Sequence, residues 1–371
     1  MSFCSNEVTN FEFPPEDIEK VRKSGGLLSM EIEFSLRCNF NCPYCYVGTE
    51  SDFANELSEE EIKRTIQQAK DLGARKIIIL GGEPMIYAKT LEMIQYMRDL
   101  DLEVEMFTNG SRITAKVAQQ LFRNGVRVVL KMNTFKADLQ NKLSGTHNAH
   151  RIIHTAFDNL KKAGYPSENA VLAISTIICQ QNFSELPDFW TWLRDRNILP
   201  YFEMITPQEN ALDNDWLYVE PDKVFKLFQQ LSDIDRSKYG IEWDPQPPLV
   251  GNKCLRHQFS CLVNSQGDVL PCVGVTLSIG NVRQKSLGKI LQESEVMRNL
   301  KNYKETIKGE CAACEKSEYC YGCRGTAYQL TGDYLASDPL CWKNHKCHTK
   351  PAGASPNTSR CIKNNPKSSV A

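Results

Sequence analysis

The sequence lacks an excess of charge of either sign: 44 Lys and Arg stand against 45 Asp and Glu, a formal net charge of -1. No global field gathers nucleic acid or an anionic membrane surface, so neither is expected as a partner. Long apolar runs are missing too. Residues 1–25 are polar and broken by Pro14 and Pro15, so they have no signal-peptide core, and no later run approaches bilayer-spanning length. A cytoplasmic chain without a membrane segment is expected. No internal repeat of fixed period is present.

What remains is ordinary globular composition, 41% hydrophobic and 24% charged over 371 residues, enough for one large core and a smaller module. Short β-rich runs at 31–36, 76–80, 103–107, 126–131, 171–178 and 201–205 alternate with helical patterns. Ser58 and Glu61 form a capping box ahead of Ile62, Ile66 and Ala69, and further helices are expected at 90–99, 115–124, 151–163, 184–195 and 221–232. The fold class is therefore α/β. Repeated right-handed βα crossovers curl a parallel sheet toward a partial (β/α)6 TIM-type barrel with its mouth at the strand C-termini. The predicted divisions are an N-terminal extension at 1–27, the barrel at 28–243, a Cys-rich domain at 244–344 and a disordered tail at 345–371. Pro245, Pro247 and Pro248 mark the linker, and the tail carries no acid.

Cysteine is the abundant residue, 15 in all, an odd count and a large one for a compartment that keeps thiols reduced, so metal ligation is the expected use. Cys38, Cys42 and Cys45 sit in RCNFNCPYCY directly after the first expected strand. A chain of this composition would show that spacing by chance roughly 0.02 times. Three thiolates on one loop suit a 4Fe-4S cluster better than zinc, which wants four ligands, and a cluster so held leaves one iron open to a small-molecule ligand.

This segment resembles the radical S-adenosylmethionine superfamily, whose triplet has the same spacing and often an aromatic residue before the last cysteine, here Tyr44. The resemblance implies that S-adenosylmethionine chelates the open iron and is cleaved reductively to a 5'-deoxyadenosyl radical that abstracts a substrate hydrogen atom. Gly81, Gly82, Glu83 and Pro84 follow the second strand as the GGEP motif that in this family binds the methionine amino group. Taken alone those four residues also read as a simple strand-to-loop turn. By position at strand ends, Thr108, Asn109 and Gly110, Lys131 and Asn133, and Ser175 are further candidates for the adenosyl and carboxylate groups, against a plain reading as turn or paired polar residues.

A second cysteine field comprises Cys254, Cys261, Cys272, Cys311, Cys314, Cys320, Cys323 and Cys341. It resembles the SPASM domain, a twin-cluster extension of radical enzymes, with two residues rather than three between Cys320 and Cys323. The resemblance assigns Cys254, Cys261, Cys272 and Cys323 to a first auxiliary cluster and Cys311, Cys314, Cys320 and Cys341 to a second, three 4Fe-4S clusters in all. The alternative is a zinc site from Cys311, Cys314, Cys320 and Cys323, whose pairs are closer than zinc ribbons place them. Cys4, Cys179, Cys347 and Cys361 have no partner at ligand spacing, and His257, His345 and His348 are weak ligand candidates.

Together the resemblances imply a radical oxidoreductase or maturase served by a reductant such as flavodoxin or ferredoxin. Its substrate is expected to be a peptide or protein, with a small molecule as the alternative and a non-catalytic electron-transfer scaffold as a further one. Residues 1–27 are too few for the leader-recognition domain many peptide-modifying relatives carry. Glu203, Asp213, Asp215 and Tyr218, at or after the sixth strand, are candidate substrate contacts or plain loop residues.

Overall fold

The computed structural model describes residues 13–48 and 53–344. Helix α1 (Pro15–Ser24) starts on its proline and stops at Gly25, which takes the left-handed conformation. Six βα units follow: β1 (Ser29–Glu33), α2 (Glu59–Asp71), β2 (Lys76–Leu80), α3 (Thr90–Asp99), β3 (Glu103–Thr108), α4 (Ala115–Arg123), β4 (Arg127–Lys131), α5 (Ala137–Ser144), α6 (Ala149–Ala163), β5 (Leu172–Ile178), α7 (Leu186–Arg194), β6 (Leu199–Met204) and α8 (Pro221–Ile234). The capping box forms: the Ser58 side chain accepts from Glu61 N–H, and the Glu61 carboxylate accepts from Ser58 N–H at 2.8 Å.

Strands β1 to β6 pair in sequence order, all parallel, as the partial barrel requires. Alternation along each strand separates two faces. One face, including Ile32, Ile77, Ile79, Met106, Val128, Ile174 and Phe202, packs into the large core with the helices. Val129, Ala173, Leu199 and Tyr201, with Phe107, form a separate cluster on the other face. The alternate register also carries charge: buried Glu105 faces Lys76 and Arg127, each at 3.6 Å.

The proline-rich stretch expected as a linker is bonded to the sheet. Met204 N–H donates to Pro248 O and Val250 N–H to Phe202 O, both at 2.9 Å. Beyond it, β7 (Leu262–Val263) lies parallel against β1, and β8 (Asp268–Leu270) and β9 (Gly280–Asn281) continue antiparallel, giving nine strands in one sheet. The approach to this stretch is anchored by the fully buried Asp235. It pairs with Arg194 at 2.7 and 3.0 Å and accepts from the indoles of Trp190 and Trp243 at 2.7 and 2.8 Å. Short helices α9 (Leu287–Glu293), α10 (Glu295–Lys301), α11 (Tyr303–Thr306) and α12 (Arg324–Thr331) complete the C-terminal region. The expected tail at 345–371, with His345, His348, Cys347 and Cys361, lies outside the described residues, as does Cys4.

Candidate active site

The loop after β1 carries Cys38, Cys42 and Cys45 and is pinned from three sides. On the first side lie Gly81 and Gly82. Gly81 has φ +116, and a Cβ there would stand 2.4 Å from Ser35 O, while one on Gly82 would stand 2.2 Å from Arg37 O. Only glycine admits this approach, and it lets Gly82 N–H and Glu83 N–H donate to Ser35 O and Arg37 O at 3.1 and 2.9 Å. On the second side is the end of α5, where Asn41 N–H donates to Ser144 O at 3.1 Å and a Cβ on Gly145 would strike Asn41 O. From the loop beyond β6, the Asn210 amide donates to Cys42 O at 3.1 Å.

Two of the three sulfurs face N–H donors, while the Cys42 thiol points to Ser144 O at 3.8 Å. Phe40 N–H and Val47 N–H donate to the Cys38 and Cys45 sulfurs, each at 3.4 Å, and the Asn109 amide reaches Cys38 at 3.7 Å. Burial, then the neighbouring Cys45, pushes the Cys42 thiol up to about 12, and burial raises Cys38 and Cys45 as well. Thiols so placed give up their protons to a metal rather than to water, and the backbone donors are ready for the thiolates that result. The donor set fits an iron-sulfur cluster. None of the described cysteines forms a disulfide.

Glu83 is almost fully buried, and its carboxylate is engaged within the chain. It accepts from the Thr108 hydroxyl at 2.8 Å, Asn109 N–H at 2.6 Å and Met85 N–H at 3.0 Å. The side chain thus ties the loop after β2 to the end of β3 and positions Asn109. At the ends of β4 to β6, Lys131 Nζ lies 3.0 Å from Ser175 Oγ and 3.4 Å from Glu203 Oε1, and 5.1 Å from the centre of the Tyr44 ring. The Tyr44 hydroxyl accepts from the Asn133 amide at 2.8 Å. Tyr44, Lys131, Ser175 and Glu203 are therefore gathered at one mouth beside the cysteine loop. Asp213 and Asp215 sit on short turns beyond β6, and Tyr218 is 44% exposed. Cys179 is buried beside Asn182, as a small core residue.

Sequence reasoning missed Glu33. It is buried below the cysteine loop, receives the Tyr46 hydroxyl at 2.7 Å, and is raised to about 7 chiefly by burial. In a strand reading MEIEF an acid looks solvated; only the closed face of the barrel reveals otherwise.

In the C-terminal field, Cys311, Cys314, Cys320 and Cys341 surround one small cavity with Pro245, Pro247, Trp342 and Asn344. Backbone N–H groups of Asp338, Lys316 and Gly322 donate to Cys311, Cys314 and Cys320 at 3.4, 3.5 and 3.4 Å. Cys254, Cys272 and Cys323 lie within charge range of one another as a second group, with Thr326 N–H on the Cys323 sulfur at 3.4 Å. The four thiols of the zinc alternative are thus divided between two groups. Cys261 is placed differently. It enters β7, is buried in the main apolar core, and has Glu31 and Lys301 as its charged neighbours rather than the other thiols. His257 is buried, with Nδ1 3.0 Å from the Tyr321 hydroxyl, and is held neutral by burial.

Residues 32–193 match the radical SAM superfamily, and residues 254–315 match SPASM, an iron-sulfur cluster-binding domain. The chain belongs to the radical SAM superfamily. This radical SAM protein is 27% identical over 336 residues to an AdoMet-dependent heme synthase of Methanosarcina barkeri, covering 83% of this chain and 94% of that one. It is 25% identical over 338 residues to a PqqA peptide cyclase of Bradyrhizobium diazoefficiens, covering 85% and 86%. Its fold is that of Streptococcus suis SuiB bound to S-adenosylmethionine, with a TM-score of 0.66 at 16% identity over 91% of this chain and 85% of that one. Iron-sulfur chemistry and S-adenosylmethionine thus belong to this radical SAM enzyme by family. Among the described residues no helix is long and apolar enough to cross a membrane.

Proposed function

We propose that this enzyme cleaves S-adenosylmethionine reductively at a cluster held by Cys38, Cys42 and Cys45 and abstracts a hydrogen atom from a peptide or protein substrate. The observation that carries the reading is the cysteine loop pinned against Gly81 and Gly82 at the strand C-termini, with N–H donors on the sulfurs of Cys38 and Cys45. When bound, the cluster and S-adenosylmethionine supply a 5'-deoxyadenosyl radical. The chain's own part is positional. Lys131 offers a cation for the methionine carboxylate, Tyr44, Asn109 and Ser175 offer polar and aromatic contacts for the rest of the ligand, and the Gly81-Gly82-Glu83-Pro84 backbone borders the amino group. Glu83 acts through Thr108 and Asn109.

In this reading 28–243 is the radical SAM barrel and 244–344 the auxiliary domain. Cys311, Cys314, Cys320 and Cys341 hold one further 4Fe-4S cluster, and Cys254, Cys272 and Cys323 hold another, three clusters in all. Thiolate-held clusters suit a reducing cytoplasm, with flavodoxin or ferredoxin as electron donor. Support for a peptide substrate comes from the PqqA peptide cyclase relative. A second reading, a small-molecule substrate, is favoured by the heme synthase relative, which matches over nearly its whole length.

The test is anaerobic reconstitution, with iron counted and 5'-deoxyadenosine measured after reduction. About twelve irons per chain with nucleoside formed supports the reading; about four irons retires the two auxiliary clusters. Candidate peptides and porphyrin-type molecules are then compared by mass change.

A further inference from the structure

Asp338 stands between the two C-terminal thiol groups and is fully buried. Its N–H donates to the Cys311 sulfur at 3.4 Å, and its carboxylate Oδ2 accepts from Cys323 N–H at 2.8 Å. The other oxygen accepts from Leu340 N–H at 3.0 Å. Its carbonyl accepts from Cys341 N–H at 3.2 Å and from the Asn344 amide at 2.8 Å, and that amide also donates to the Cys311 sulfur at 3.4 Å. Burial raises the Asp338 carboxyl, and against it stand two backbone N–H donors, one on each oxygen, and a neighbouring guanidinium, all of which favour the carboxylate. Arg324, 1% exposed, supplies the nearby positive charge. Its Nη1 donates to Ala336 O at 2.6 Å, while Nη2 and Asp338 Oδ2 flank the same face of Gly322, 3.0 and 3.3 Å from where a Cβ would sit.

We propose that Asp338 is a positioning residue shared by the two auxiliary clusters, fixing a ligand of each and setting both reduction potentials with one negative charge. The inference rests on the reading that the two thiol groups hold separate clusters. A charge buried between them is poorly screened, and cluster potentials follow local charge and hydrogen bonds to sulfur. Because one charge lies beside a ligand of each cluster, it moves both potentials in the same direction. An Asp-Pro turn with a purely structural role would hold the loop without moving either potential.

The experiment is a redox titration followed by electron paramagnetic resonance on the reconstituted full chain, with iron counted, for wild type and Asp338→Asn. Asparagine removes the charge and keeps one acceptor oxygen, so its NH2 faces one of the Cys323 and Leu340 N–H groups, and the iron count reads whether the loop still holds. Iron is expected to stay at the wild-type level while both auxiliary couples become easier to reduce, by about tenfold in the reduced-to-oxidised ratio at a fixed potential, or about 59 mV for a one-electron couple. Retained iron with neither potential moved, or only one moved, overturns the inference. Arg324→Gln supplies the independent variant, and there both couples are expected to shift the opposite way; no shift, or one in the same direction as Asp338→Asn, overturns it. Wild-type protein without two auxiliary signals takes down the underlying reading, and the inference with it.

Discussion

Replacing Glu83 with Gln separates two roles for the GGEP carboxylate: direct contact with S-adenosylmethionine, or organisation of the strand ends that make the contact. The Glu83 oxygens accept three hydrogen bonds in a site 1% exposed to solvent. Glutamine keeps one acceptor oxygen for Thr108 and Met85 and turns an amide NH2 toward Asn109 N–H, donor against donor. One buried N–H loses its charged acceptor and faces a donor instead, so the segment loses about 1.5–3 kcal/mol. That loss raises the local opening equilibrium by on the order of 10- to 100-fold. Hydrogen exchange resolved over 103–112 reads it directly. The expected outcome is faster exchange there together with weaker S-adenosylmethionine binding. Unchanged exchange with binding lost would refute the organising role and return Glu83 to direct contact.

Cys42→Ala is expected to abolish 5'-deoxyadenosine formation and remove about four irons, measured together on one reconstituted sample. Cys272→Ala is expected to lose about four irons while Cys261→Ala keeps them, because Cys261 sits in the apolar core away from the other thiols; iron lost equally in both would restore Cys261 to the ligand set. Asp235→Ala leaves Arg194 as an unpaired buried charge and two indole N–H groups without acceptors. A loss of about 3–5 kcal/mol is expected in chemical denaturation, and a loss under 1 kcal/mol would mean that the pair contributes little.

Much of the barrel was legible in the sequence. The strand at Lys76–Leu80 and the helix at Thr90–Asp99 fall where periodicity puts them, and the Ser58 capping box forms with both bonds. The cysteine triplet and the glycine pair were visible as motifs, though not the reason for the glycines, which is the backbone of Ser35 and Arg37 lying against them. Helix α5 escaped notice because it is eight residues long and buries Gln140 and Ser144 alongside one leucine, a face with little apolar period. Strands β7 to β9 are two or three residues each, below the length at which alternation registers. The burial of Glu31, Glu33, Lys76 and Glu105 was not legible, because one sequence does not say that a sheet curls until its polar face is enclosed. The prolines at 245–248 spoke for a free linker, since proline cannot donate to a ladder; its carbonyl still accepts, and Pro248 O does so from Met204 N–H.

That last bond bears on how the auxiliary region works with the barrel. A partial barrel of six strands leaves two open edges, β1 and β6, each a row of unpaired backbone groups. One continuous stretch covers both: residues 248–250 on β6, then Phe259 O and Cys261 O accepting from Leu28 N–H and Glu31 N–H at 2.9 Å on β1. Between these two attachments Cys254 packs with Phe107 and Tyr201 of the barrel's second face, and Arg256 pairs with buried Glu31. A hinge at the prolines would have to break the hydrogen bonds to β6 and expose that edge, while 259–263 stay paired with β1. The spacing between the mouth and Cys254 is therefore set by the sheet and not by a linker.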